Sequence, residues 1–141
     1  MQLSDQLTRA FITMGRFINQ DEGEISRPDY VVLVRLAARD CTRSRDLAAA
    51  EGLDPSTMSR RIASLAERGL VQRAPDPADR RAQVLALTET GHRAVTDERA
   101  RRVQVVTDAL ADWSDQDRGE LARLLGQLAD TLEDRRSTHG H

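Results

Sequence analysis

Residues 54–81 read DPSTMSRRIASLAERGLVQRAPDPADRR, and this stretch decides the fold. Asp54 can cap a helix N-terminus, and Pro55 suits the first helical position because no N–H is needed there. Apolar side chains then recur at helical spacing and predict one buried stripe, made of Met58, Ile62, Leu65 and Ala66. Gly69 ends the predicted helix.

The other face of this helix is polar and basic. Ser56 and Thr57 are small enough to let the helix approach another surface closely. Arg60 points almost directly away from the apolar stripe, and Arg61 lies on its flank. Guanidinium groups in this position can meet phosphates or guanine edges, so the face is typical of a helix that reads a DNA groove.

The neighbouring segments strengthen this interpretation. Residues 45–53 predict a second short helix with a Gly-containing turn, and residues 70–73 and 83–87 predict two strands around a turn at 74–81. For a lone helix, an amphipathic helix with solvated charges is the better explanation, but helix, turn, helix and wing in this order favour DNA. The candidate DNA-binding residues are Arg45, Ser56, Thr57, Ser59, Arg60, Arg61, Asp79, Arg80 and Arg81.

Composition and charge agree with a DNA-binding head. The 141 residues suit one domain, and the formal net charge is −2. Residues 42–81 carry eight arginines against six acidic residues, whereas residues 82–141 carry eight against eleven. The positive excess therefore lies on the predicted reading head. Aromatic residues make up only 3%, which argues against recognition of single-stranded nucleic acid by base stacking.

Amphipathic helices flank the head and predict a dimer. Helix one covers residues 3–18, helix two runs from about Pro28 to Ala38, and a long helix runs from Thr88 to about Asp112. The last helix carries a leucine seam, and residues 135–141 are expected to fray. These helices either pack on their own domain or form the dimer interface through Leu3, Leu7, Phe11, Leu121, Leu125, Leu128 and Leu132. A two-fold dimer places two recognition helices about 34–36 Å apart on an inverted repeat.

Four motifs occur in a specific order: the recognition helix, LAERGLVQR at 65–73, DPADRR at 76–81 and LALTETG at 85–91. In this order the sequence resembles the MarR family of bacterial winged-helix regulators over nearly its whole length. The resemblance implies a mainly α fold with a small β-hairpin wing, in a single domain over residues 1–141. The winged helix-turn-helix head covers residues 27–88, and the dimerisation helices cover residues 1–20 and 89–136.

The resemblance also implies function. Such proteins are homodimers that usually repress transcription by occupying an operator, and many leave DNA when a small anionic or phenolic molecule binds between the dimer helices and the head. Ser56, Thr57 and Arg60 match positions that meet the major groove. Asp79, Arg80 and Arg81 match the wing motif in which a carboxylate holds an arginine, and a narrow minor groove attracts such an arginine.

Candidate effector contacts lie near the junction of helices one and two. By position they are Met14, Phe17 and Tyr30, each of which also fits an ordinary place in the core. An effector here is expected to lie between helices one and two and the long helix after Thr88. A molecule wedged there changes the separation of the two heads without touching DNA.

Other classes of function find little support in the sequence. The three histidines have no nucleophile or carboxylate spaced as a partner, and phosphate loops and Cys/His metal spacings are absent, so no enzyme, cofactor or metal site is expected. No segment has the length or pattern of a membrane span or signal peptide, which favours a cytoplasmic protein without a membrane partner. Two alternatives stay open: a winged helix that binds protein, and a thiol-responsive regulator that uses Cys41.

Overall fold

The computed structural model describes residues 2–19, 25–39 and 42–139. Six helices and three strands lie in this part of the chain. In order they are α1 (Leu3–Asn19), α2 (Arg27–Ala38), β1 (Thr42–Arg43), α3 (Ser44–Glu51), α4 (Pro55–Glu67), β2 (Val71–Pro75), β3 (Gln83–Leu87), α5 (Glu89–Ala109) and α6 (Asp115–His139). The chain forms two compact units, 1–103 and 104–141, with the boundary inside α5.

The helix-turn-helix forms where the sequence predicts it. The Asp54 carboxylate accepts hydrogen bonds from the backbone N–H groups of Ser56, at 3.0 Å, and Thr57, at 3.3 Å, and so begins α4. Gly52 ends α3 with a φ of 64°, a left-handed conformation that glycine adopts without steric cost. The recognition helix predicted from residues 54–69 is therefore confirmed as α4.

The first strand of the wing is longer than predicted, and a third strand pairs with the hairpin. β2 continues through Ala74 and Pro75, which the sequence had assigned to the turn, and it pairs antiparallel with β3. The sheet order is β1-β3-β2, and the two-residue β1 was not predicted at all. Two residues are too few to show an alternation of apolar and polar side chains, so the sequence could not predict β1. This strand forms by pairing with the edge of β3 that β2 leaves open.

One hydrophobic core holds the head together. α2 buries Val32, Leu33 and Leu36, and α4 contributes Met58, Ile62 and Leu65 to the same cluster. The remaining buried members come from α3, β2, β3 and the segments just before α2 and β2, namely Ile25, Leu47, Ala48, Leu70, Val71, Leu85 and Leu87. Packing of this core fixes which face of α4 points inward, and the polar face stays outside.

The start of α5 is fastened tightly to the turn after α4. The Thr88 hydroxyl accepts from the Gly91 N–H at 2.9 Å and donates to the Gly69 carbonyl at 2.6 Å. A Cβ atom on Gly91 would lie 2.1 Å from the Leu70 carbonyl oxygen. The glycine that closes the LALTETG motif is therefore required by close backbone contact.

In the second unit, α6 has an N-terminal cap and an uncovered surface. The Ser114 hydroxyl accepts from the Asp117 N–H at 3.1 Å and so caps the start of α6. The fraying expected at residues 135–139 was wrong, since α6 continues to His139, and residues 140–141 lie outside the described residues. α5 ends at Ala109 rather than near Asp112. No residue of α6 is buried.

None of the described helices combines the length and apolar character needed to cross a membrane.

Candidate nucleic-acid interface

The outward face of α4 presents the residues predicted to meet DNA. Ser56, Ser59 and Arg60 are exposed, and Thr57 is half-buried. Among the described residues, no carboxylate forms an ion pair with Arg60. The hydroxyl of Ser56 donates to Asp54, and this bond, together with the Thr57 N–H, lowers the pKa of the Asp54 carboxyl. The cap is therefore ionised at neutral pH and holds the first turn of the helix in place.

A cleft of about 470 Å³ lies between the starts of α3 and α4 and the base of the wing. It brings together four of the predicted DNA-binding residues, namely Arg45, Ser59, Asp79 and Arg81. Arg43, which the sequence analysis missed, lies on the same cleft. Arg45 and Arg81, which form no ion pair with a described carboxylate, favour an anionic occupant such as a phosphate backbone on this concave surface.

The acidic residues of the wing act differently from the arrangement that the resemblance implied. The Asp79 carboxylate accepts from the Arg81 backbone N–H at 3.1 Å, so it shapes the turn. Within the described chain, neither Arg80 nor Arg81 is paired with a carboxylate. The ion pair at the wing base joins Asp76 to Arg43 on β1. The expected pairing of Asp79 with an arginine side chain is thus not seen among the described residues, where one Asp79 oxygen accepts from the backbone of the turn instead.

Asp76 anchors this base. It is buried, and its pKa is lowered by a hydrogen bond from the Ala78 N–H at 2.9 Å and by the Arg43 guanidinium. Its backbone N–H donates to the Ala82 carbonyl at 3.0 Å, which closes the hairpin. Arg43 could not be assigned this role from sequence because β1 was not predicted.

Arg61 is directed away from the exposed face of α4. Its Nη1 lies 3.0 Å from Oδ1 of Asp29 on α2, and its side chain is 23% exposed. Arg60 and Arg61 are adjacent in sequence but face different surroundings, since successive helical residues differ by about 100°. The structure thus separates Arg61 from the remaining candidates on α4.

The comparisons with known proteins agree with this fold. The MarR family model matches residues 25–82. An HTH-type transcriptional regulator of Mycobacterium tuberculosis is 30% identical over 112 residues, which cover 78% of each chain. The chain belongs to the MarR family. It is a DNA-binding transcriptional regulator with a winged-helix fold.

Solved structures of the MarR family share this architecture. Wild-type MarR from E. coli, in its apo form, superposes with a TM-score of 0.81 at 19% identity, covering 91% of this chain and 96% of that one. The PcaV regulator of Streptomyces coelicolor superposes with a TM-score of 0.71 at 26% identity, covering 95% of this chain and 99% of that one. PcaV in complex with its natural ligand superposes with a TM-score of 0.63 at 27% identity, covering 91% of this chain and 89% of that one.

A second cleft lies beside α1 of this MarR-family chain. It measures about 190 Å³ and is lined by Phe11, Met14, Gly15, Ile18, Arg27 and Arg102, and we call it the α1 cleft. Of the predicted effector contacts, Met14 lines it, whereas Phe17 and Tyr30 do not. Tyr30 is half-buried against the core, and the Arg102 guanidinium carbon lies 4.4 Å from its ring centroid.

Buried Glu98 fixes the orientation of Arg102. Its carboxylate accepts from Arg102 Nε at 2.9 Å and from Arg101 Nη2 at 2.8 Å. These arginines lower the pKa of Glu98, Arg101 most strongly, so the acid remains charged at neutral pH. Sequence analysis missed Arg27, Glu98 and Arg102, although the charged run at 97–102 in the middle of a long helix was a visible signal. Cys41, the basis of the thiol alternative, lies outside the described residues.

Proposed function

We propose that this regulator binds double-stranded DNA as a homodimer on an inverted repeat and represses transcription until a small aromatic anion releases it. The observation that carries the DNA part is the exposed α4 face with Arg60, next to the cleft that holds Arg45, Ser59 and Arg81. Arg60, Ser56 and Thr57 enter the major groove, and Arg80 and Arg81 on the wing meet the backbone or the minor groove.

Selection from random DNA tests this proposal directly. A pool of random duplexes is incubated with the purified protein, and the retained duplexes are sequenced. We expect an inverted repeat with half-site centres about 34–36 Å apart, because two recognition helices related by a two-fold axis reach successive major grooves. Equal retention of all sequences shows binding without sequence specificity and overturns the operator part of the proposal, whereas retention of none overturns the proposal and favours a protein partner for the winged helix.

Arg60→Ala is expected to leave the fold intact and to weaken binding to the selected duplex by about 1–3 kcal/mol, the range of a good base contact. Binding isotherms and thermal denaturation measure the two quantities separately. Arg99→Ala on the exposed surface of α5 removes the same charge and serves as the control. If both variants bind as tightly as the wild type, Arg60 does not belong to the reading face.

The α1 cleft is the proposed effector site. Apolar cavities of about 150 Å³ accept benzene, so a cleft of about 190 Å³ suits one aromatic ring. Phe11, Met14 and Ile18 provide the apolar wall, and Arg27 and Arg102 provide cations for a carboxylate or phenolate. Arg102 is already paired with Glu98, whereas Arg27 forms no ion pair with a described carboxylate, so we expect the anion to engage Arg27.

A panel of aromatic carboxylates titrated into the protein–duplex complex tests the effector site. The active compound is expected to require about tenfold higher concentration with Arg27→Gln, because one charge-assisted hydrogen bond is lost. Arg16→Gln, an exposed position of α1 outside the cleft lining, is the control. Equal release from both variants places the effector elsewhere, and release by no member of the panel overturns the effector part of the proposal.

A further inference from the structure

Asp29 forms ion pairs with two arginines of the recognition segment. Arg61 Nη1 lies 3.0 Å from Asp29 Oδ1, and Arg68 Nη1 lies 3.2 Å from Asp29 Oδ2. The Asp29 side chain is only 14% exposed. Each carboxylate oxygen therefore has its own guanidinium partner in a partly desolvated position, where such bonds are stronger and more directional than at an open surface.

The spacing of the two arginines explains how one acid can reach both. Arg61 and Arg68 are seven residues apart, which places them on the same side of a helix about two turns from each other. Arg61 lies in the middle of α4, and Arg68 is the residue that caps its C-terminus. Asp29 thus contacts the recognition helix both near its centre and at its end.

Asp29 is itself held by the structure of α2. It lies in the first turn, and its N–H donates to the Ser26 hydroxyl at 3.3 Å. The following turns of α2 insert Val32, Leu33 and Leu36 into the core. Burial of the Met58, Ile62 and Leu65 stripe fixes which face of α4 points inward. The two ion pairs with Asp29 add directional contacts at the middle and at the end of this helix.

The surroundings of Arg61 argue against a role on DNA. Its Nε is shielded from solvent and has no acceptor among the described residues, and its Nη1 is engaged by Asp29. Neighbouring Arg60, by contrast, is exposed and forms no ion pair with any described carboxylate. A guanidinium that contacts phosphate must reach solvent with its N–H donors, and Arg60 is exposed in this way.

We propose that Asp29 positions the recognition helix through Arg61 and Arg68, and that Arg61 acts on Asp29 rather than on DNA. This inference rests on the proposed function, since it concerns how the helix is presented to a groove. Misplacement of α4 breaks contacts with base edges, which need accurate geometry, before it affects phosphate contacts, which are long-ranged. Asp29 is therefore a positioning residue for sequence discrimination.

The direction in which Asp29→Asn changes DNA affinity distinguishes positioning of α4 from simple charge repulsion between Asp29 and DNA. Replacing an acid near a DNA-binding face by a neutral residue removes repulsion and is expected to tighten binding to every duplex. If Asp29 positions α4, Asp29→Asn instead weakens binding to the selected duplex by about tenfold, the loss typical of one base contact. Affinity for a scrambled duplex of equal length does not fall, so the ratio of the two affinities measures the positioning role.

The experiment uses the full chain and four variants: Asp29→Asn, Arg61→Gln, their combination, and Arg61→Lys. Dissociation constants for the selected and scrambled duplexes are measured over a range of salt concentrations, and thermal denaturation checks folding. We expect the double variant to discriminate between the duplexes no less than the weaker of the two single variants does. The reason is that Asp29→Asn and Arg61→Gln each remove the same ion pair. Arg61→Lys is expected to recover part of the discrimination, since its ammonium can still reach one carboxylate oxygen.

The salt dependence gives a second readout that a loss of folding does not imitate. Arg61→Gln is expected to keep the wild-type slope of log affinity against log salt, whereas loss of a phosphate contact reduces the slope by about one. Glu67→Gln, at the exposed end of α4, controls for removal of a nearby acid. A reduced slope in Arg61→Gln, or tighter binding of Asp29→Asn to both duplexes, overturns the inference. Failure of the wild type to discriminate between the duplexes overturns the proposed function instead.

Discussion

Gly91→Ala is expected to destabilise the protein by about 3 kcal/mol, the upper part of the range for an overpacked site. The new Cβ would lie 2.1 Å from the Leu70 carbonyl oxygen and 3.1 Å from its carbonyl carbon. Both atoms belong to the backbone, so relief requires α5 to move away from the turn after α4. That movement also strains the bonds that Thr88 makes to Gly69 and Gly91. Chemical denaturation, read as the change in midpoint at constant m-value, measures the loss.

Gly119→Ala is the matched control for this prediction. Gly119 lies within α6, and a Cβ atom built there has no neighbour within 4 Å. The same substitution should therefore stabilise the protein by about 0.5–1 kcal/mol, because alanine loses less backbone entropy in a helix than glycine. Equal midpoints for Gly91→Ala and the wild type show that α5 can shift at little cost, and they contradict the tight backbone contact.

The sequence predicted the elements whose local signals are strong. α4 begins with a capping acid and a proline and carries an apolar stripe at helical spacing, and each of these signals acts within a few residues. β1 was missed because two residues show no pattern and pair only when β3 is already in place. The extension of β2 through Pro75 was missed because proline normally marks a turn, although β2 pairs with β3 on one side only and its other edge tolerates it.

Site residues that depend on distant partners could not be predicted in the same way. Arg60 was assigned correctly to the exposed face of α4 because the direction of a helical side chain follows from the stripe opposite it. Arg61 was grouped with it because its partner Asp29 lies 32 residues earlier on another helix. The pairing of Asp76 with Arg43 likewise depends on the sheet. Ion pairs across the fold need the packing of helices and strands, which the order of residues does not reveal by itself.

The leucine seam of α6 leaves apolar side chains exposed to solvent. Leu121 and Leu128 are half-buried, while Leu125 and Leu132 are 39% and 50% exposed. On α1, Leu3 and Phe11 are likewise exposed, at 76% and 56%, and Leu7 is half-buried. Apolar side chains repeated along one helical face cost free energy in water unless another surface covers them. A second copy of the chain is the partner that we propose for the seam.

Leu125→Asp is therefore expected to split the homodimer and to abolish tight binding to the selected inverted repeat. A carboxylate without a counter-ion in an apolar interface costs several kcal/mol, and a head that binds alone also loses the gain from simultaneous contact with two half-sites. Sedimentation equilibrium measures the mass, and binding isotherms measure the affinity. Gln127→Asp adds the same charge to the same helix at about 200° from Leu125, and it should remain dimeric. A Leu125→Asp protein that sediments as the wild type does shows that the subunits meet through another surface, because no interface built on this seam accommodates an unpaired carboxylate without loss.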